Sequence, residues 1–234
     1  GTSVTITTGT TGAEAGNITV FGSADLGGAV NINKTTGASA TLTLQAAGNI
    51  DLHSGSIIQS TAAGNALNLA LNAGGTTTVA GSTIALNGGT LSAGATGVNI
   101  GGSSIFSAVT LNSDITVSNS STLQVQNGLT FAGGHKITLA GGVNNTFLTF
   151  TGLSQTLGGT GEVVFGGTSA TTNFFDVNLT AGNTLSIGSG VQVHSGAGGQ
   201  GGTIRSFTGS TIANAGTISS DAGKLIAITN SGGT

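Results

Sequence analysis

Three histidines and seven carboxylates are all that this chain of 234 residues offers for acid–base chemistry, so their spacing decides what they could do. Asp51 and His53 stand two apart around Leu52, which in an extended segment places both on one face. They are the best acid–base pair that the sequence contains. The plainer reading, a polar outer face around one inward leucine, is preferred. A nucleophile beside them would have to be Ser54 or Ser56, and neither occupies a Gly-x-Ser-x-Gly elbow. His135-Lys136 comes after Gly133-Gly134 and reads as a solvated corner opening a strand. His194 closes Val191-Gln192-Val193 and reads as an exposed edge. The acids Glu14, Asp25, Asp51, Asp114, Glu162, Asp176 and Asp221 are spread almost evenly. Sugar-cleaving sites need two or three acids converging, and only stacking of distant segments could bring Asp114 or Asp176 into such a set. Three scattered histidines without cysteine argue against zinc, and the acid-bearing glycine repeat of calcium-binding solenoids is missing. Gly196 to Gly201 matches Gly-x-Gly-x-x-Gly formally. The adjoining Thr203-Ile204-Arg205-Ser206-Phe207 reads as strand, so no helix end would face a phosphate. The sequence therefore assigns no catalytic, cofactor-binding or metal-binding residue, and a non-enzymatic chain is expected.

The elements that would position these groups are short and repetitive. Val4-Thr5-Ile6, Val30-Asn31-Ile32, Leu42-Thr43-Leu44, Ile50-Asp51-Leu52, Ile115-Thr116-Val117, Ile137-Thr138-Leu139 and Leu185-Ser186-Ile187 each flank one polar residue with two apolar ones. Alternation sends the apolar pair to one face and the polar residue to the other. Each triplet ends in a Gly, Asn, Ser or Thr break. Helix is disfavoured by the abundance of Val, Ile, Thr and Gly and by the lack of a sustained 3.6-residue stripe. Even Leu67, Leu69 and Leu71 alternate as in a strand. The pattern predicts an all-β fold, a single-stranded right-handed parallel β-helix. With a three-sided coil of roughly 18 to 25 residues it would have about ten to twelve coils. At a strand spacing of about 4.8 Å it would be a rod on the order of 50 Å long. Residues 1–234 read as one continuous solenoid. A change of texture near residue 128 introduces Phe131, Phe147, Phe150, Phe165, Phe174, Phe175 and Phe207, and with them a wider or differently shaped core. Asn17, Asn49, Asn65, Asn87, Asn127 and Asn183, each beside glycine, are the expected corners with left-handed backbone. Exposed ladder ends would require another copy, or more of the same chain, to cover them.

Composition bounds the partners. Charged residues form 5% of the chain, net charge is −3, and the four cations are Lys34, Lys136, Lys224 and Arg205. That is too little positive charge to neutralise several phosphates, so no nucleic-acid partner is expected. No apolar run approaches the roughly 20 residues of a spanning helix. The aromatic girdles of a membrane barrel have no Tyr or Trp to form them. A chain not integral to a membrane is expected. Pro is absent, so every position can join a ladder, and no cysteine staple exists. Lacking Met and a signal peptide, the chain reads as a processed product or an excised segment whose export signal lies elsewhere.

The run Ala40 to Ser60, with Ala46-Ala47-Gly48-Asn49-Ile50-Asp51-Leu52 at its centre, and the next run, Gly64 to Gly74, resemble the repeats of filamentous-haemagglutinin-type bacterial exoproteins. Thr156 to Phe165 and Ile212 to Ser219 are similar to passenger regions of autotransporter-like surface proteins. The resemblance is one of texture and spacing over most of the chain. It implies export across the outer membrane and an extracellular, cell-surface role as an adhesive or structural shaft, with host or cell-surface glycans as candidate partners. The family's Asn-Pro secretion motifs are absent, so shaft and not export module is represented. A polysaccharide-binding or polysaccharide-cleaving β-helix is the alternative. An ice-binding solenoid, suggested by Thr5-x-Thr7, Thr41-x-Thr43 and Thr76 to Thr78, ranks below it, as does a cross-β assembly.

Overall fold

A computed structural model describes residues 1–9, 16–28, 30–169, 171–196, 200–207, 209–220 and 223–230. Every strand pairing in it is parallel, and each strand lies on the one a coil earlier, which makes the chain a β-solenoid. Three ladders run along it. The first face begins with Val4–Thr7, Ala40–Ala46, Leu67–Ala73 and Thr90–Ala93 and ends at Thr184–Ile187 and Thr211–Asn214. The second starts at Ile18–Val20 and Ile50–Leu52 and ends at Val191–Ser195 and Thr217–Ser219. The third runs from Asn31–Lys34 through Ile57–Ser60 to Gly202–Ser206 and Ile226–Asn230.

The coils are fewer than the ten to twelve expected. Each face carries nine rungs, so about seven coils have a neighbour both above and below. The reason is coil length. Leu91 and Leu111 stack after only 20 residues, but Val4 pairs with Leu42, and Asp176 with Arg205, across much longer circuits. Strands also bend round corners without ending, and Thr122–Leu139 supplies a rung to all three faces.

The apolar members of the triplets form columns of stacked side chains inside. Val20, Leu52, Val79, Ile100, Val117, Leu139 and Phe165 succeed one another on the second face. Ile32, Ile58, Ile84, Phe106, Val125, Phe150 and Val177 do so on the third. One hydrophobic cluster joins the columns from Val20 to Ile204. Each fully buried side chain contributes about 1.5–3 kcal/mol by leaving water. This replaces the disulfides that the chain lacks.

Aromatic size is accommodated by glycine in the next coil. Beside the Phe131 side chain the next coil carries Gly161, where an added Cβ would lie 2.4 Å from Phe131 Cγ. Gly202 lies against the Phe165 ring at 2.4 Å on the same measure. Phe150, Phe165 and Phe175 enlarge the core as expected, but Phe147, Phe174 and Phe207 face outward and are half-buried. The corners also divide. Asn87 and Asn127 adopt positive φ (53° and 56°). At Asn17, Asn65 and Asn183 the neighbouring glycine takes the left-handed angle instead. Asparagine side chains there bind the next coil: Asn49 N–H donates to Asn17 Oδ1 at 2.8 Å, and Thr76 N–H to Asn49 Oδ1 at 2.9 Å. The threonine row of an ice-binding face does not form, because Thr5 and Thr43 are succeeded in register by Ala70 and Ser92.

Candidate functional site

All three histidines are paired with a carboxylate of the preceding coil. His53 Nδ1 lies 3.0 Å from Asp25 Oδ2, His135 Nδ1 3.1 Å from Asp114 Oδ1, and His194 Nε2 3.3 Å from Glu162 Oε2. The partner of His53 is thus Asp25 and not Asp51. Asp25 sits on the single helical turn among the described residues, Ser23–Leu26, which swings out between the second and third faces. The Gly22 N–H, then His53, hold the Asp25 carboxyl below the usual carboxylate range. Ser56 is buried and donates to Ser82 Oγ at 2.9 Å, while Ser82 donates to the Leu52 and His53 carbonyls. It is a corner pin between coils and not a nucleophile; Ser54 is exposed.

Asp176, held open as a sugar-cleaving acid, is almost fully buried. Its two oxygens accept from Arg205 Nε and Nη2 at 2.7 and 2.6 Å, a bidentate pair across one coil step of the third face. The Arg205 guanidinium lies 4.0 Å from the Phe174 ring centre and 5.2 Å from that of Phe207. Phe174 itself stacks on Phe147 at 5.2 Å. The carboxylate is consumed by this outward stack, which leaves it no free oxygen for chemistry.

Asp114 is placed differently. It opens the second face at the corner after Asn112, half exposed. Its Oδ1 accepts from the Lys136 N–H at 3.2 Å, and His135 Nε2 faces Asn112 Oδ1 at 3.3 Å. Lys136 is in register with Glu162, and Glu162 with Gln192. Ile115 stacks on Ile137, so Asp114 heads the same column. Acid, cation, acid and amide thus succeed one another along the axis, flanked by His135 and His194. In a parallel stack a like-charge column would repel at every step of about 4.8 Å, so alternation is what stability requires.

Two shallow depressions border this column. One of about 300 Å³ is lined by Gly97, Asn112, Asp114 and His135, and one of about 170 Å³ by Gly134, Thr160, Glu162 and Gln192. His135 pairs in register with Gly161, so the two meet there. A third depression of about 450 Å³, lined by Thr110, Asn127, Thr130, Gln155 and Thr156, carries no charge. Among the described residues no three His, Asp or Glu gather as a metal would require. Glu14, Asp221 and the centre of the Gly196–Gly201 run lie outside the described residues. The segment after that run is a strand, Gly202–Ser206, as expected. No helix in the described residues is long and apolar enough to cross a membrane.

Sequence reasoning missed Asn173. It is fully buried, accepts from the Gly141 N–H at 2.9 Å and donates to the Gly166 and Gly201 carbonyls at 2.9 and 3.2 Å. It ties successive coils together, and only its place among glycine-rich corners hints at that role. The four pairings of His53, His135, His194 and Arg205 with carboxylates were also missed, because pairing across coils depends on a repeat length that varies. Compared with protein-family models, curated proteins and solved structures, the chain matches none.

Proposed function

We propose that the chain is a non-enzymatic structural or adhesive shaft of a bacterial extracellular surface protein or filament, continued at its ends by copies of itself or by flanking segments of the same chain. The carrying observation is the contrast between terminal and interior rungs. Val4 and Ile6 are 51% and 45% exposed, whereas Leu42 and Leu44, which pair with them, are 6% and 1% exposed. At the other end Ile228 is 64% exposed above Ile204 at 1%. These residues occupy inward columns, and among the described residues no further rung lies over them. All strands run the same way, so a further unit continues the ladder only head to tail, a heterologous contact that makes filaments and not closed dimers. The scarcity of charge, the hydrogen-bonded histidines and the arginine-sequestered Asp176 are consistent with a role in which shape and surface act, not bond-breaking.

Analytical ultracentrifugation of the chain over a wide concentration range, beside an Ile6→Lys, Ile228→Lys double variant, tests the reading. Head-to-tail species that grow with concentration and vanish in the variant are expected. A monomer at every concentration, with amides of Val4–Thr7 and Ile226–Asn230 exchanging as slowly as interior ones, would mean that the edges are sealed and would end the proposal.

A further inference from the structure

The Asp114–Lys136–Glu162–Gln192 column sets three charged residues on successive coils, and it borders a trough. From Gly97 through Asn112, His135 and Glu162 to Gln192 the trough crosses successive coils along the corner between the first and second faces. Its floor is largely glycine. At Gly134 an added Cβ would meet nothing within 4 Å, so the corner there is open space, not packed interior.

The lining chemistry narrows the ligand. The Asp114 and Glu162 side chains, 50% and 44% exposed, offer carboxylate acceptors to solvent. Asn112 and Gln192 add amides. An anionic chain would meet two carboxylates with no cation among the lining residues, since Lys136 stands in register between the acids but lines neither depression. A peptide strand needs a free ladder edge, but along the side of the solenoid the coils above and below take the backbone groups. An apolar partner finds only Ala93 and Ala95. A metal finds no cluster of three ligands among the described residues. What remains is an extended, uncharged chain rich in hydroxyl groups. Hydroxyls donate to carboxylates through charge-assisted hydrogen bonds and accept from the amides of Asn112 and Gln192. A pyranose unit also advances by nearly one strand spacing, so successive sugars would meet successive coils in a similar pose.

We infer that this trough binds a neutral polysaccharide, with Asp114 and Glu162 as the principal acceptors of its hydroxyl protons. The site lies on the side of the rod and is independent of how the ends are covered. The binding is expected to be non-covalent and weak per unit, strengthened where many copies are displayed.

The test is a titration of the isotopically labelled chain with cellohexaose, laminarihexaose and maltohexaose, monitored by amide chemical shifts. At least one hexaose is expected to shift amides of residues 112–114, 134–136, 160–162 and 190–192 with a Kd in or below the millimolar range. The double variant Asp114→Asn, Glu162→Gln should weaken that Kd at least tenfold. Asp51→Asn, elsewhere on the second face, should leave it unchanged, and all three proteins should be folded at the titration temperature, as their dispersed amide spectra report. Three results would overturn the inference: no shifts with any hexaose at 10 mM, shifts centred instead on Phe147 and Phe174, or saturation by oligogalacturonate in preference to the neutral sugars. None of these bears on the association of the ends, so the two proposals fail separately.

Discussion

Arg205 should be the most costly surface-facing residue to remove. Asp176 is 8% exposed in its side chain and both its oxygens are committed to the guanidinium, itself 23% exposed. Truncating Arg205 to alanine leaves a nearly buried carboxylate without its counter-charge. Breaking a buried pair in this way costs about 3–5 kcal/mol; partial exposure of the arginine places this pair at the lower end. Loss of the guanidinium from the Phe174 ring removes about 0.5–1 kcal/mol more. Arg205→Ala is therefore expected to destabilise by about 3–4 kcal/mol, and Asp176→Ala by less, since the freed arginine can turn toward water. Replacing both by threonine should recover most of the loss. Thr149 and Thr229 are the rungs before and after in the same outward column, so threonine fits the pleat and needs no counter-charge. Urea unfolding of the parent, Arg205→Ala, Asp176→Ala and the Asp176→Ala, Arg205→Ala double variant, monitored by far-ultraviolet circular dichroism, gives the coupling through a double-mutant cycle, with the double-threonine protein measured beside them. A coupling below about 0.5 kcal/mol, or a double-threonine protein no more stable than Arg205→Ala, would refute the argument that desolvated charge, not mere packing, is what the pair controls.

Asn173→Ala should cost about 3 kcal/mol in the same urea assay, because one substitution strands the Gly141 N–H and two carbonyls in the interior. Gly159→Ala should cost clearly more than Gly182→Ala. Both glycines have positive φ (78° and 82°), but only at Gly159 would the new methyl meet a backbone oxygen, while Gly182 faces open space. Equal unfolding midpoints for these two variants would show that backbone angle alone matters. Asp25 has a folded-state pKa below its unfolded value, so its pairing stabilises at neutral pH and is lost as pH falls through the carboxylate range. Stability measured from pH 7 down to pH 3 should thus fall more steeply for the parent than for Asp25→Asn, and parallel curves would contradict this.

Much of the architecture was written in the local pattern. The alternation in Ile50-Asp51-Leu52 or Ile137-Thr138-Leu139 requires a strand with one buried face, and repetition without helix or charge leaves a parallel coil as its simplest packing. The direction of each such side chain comes from pleat alone, which is why the inward pairs Leu42/Leu44 and Ile50/Leu52 were legible. Outward phenylalanines broke the rule, since Phe147 and Phe174 satisfy their apolar faces by stacking on each other and under Arg205.

What the sequence could not determine is which residues stand above one another. Coil length is set by corners that vary freely in length, so a residue and its axial neighbour are separated by no fixed number. That single unknown decided the coil count, moved the partner of His53 from Asp51 to Asp25, buried Asp176 beneath Arg205 and set Asp114, Lys136 and Glu162 in one column. Alternation is a property of two neighbouring residues and is local. Register is a property of the closed circuit, and only the folded coil, by stacking its apolar columns without gaps, fixes it.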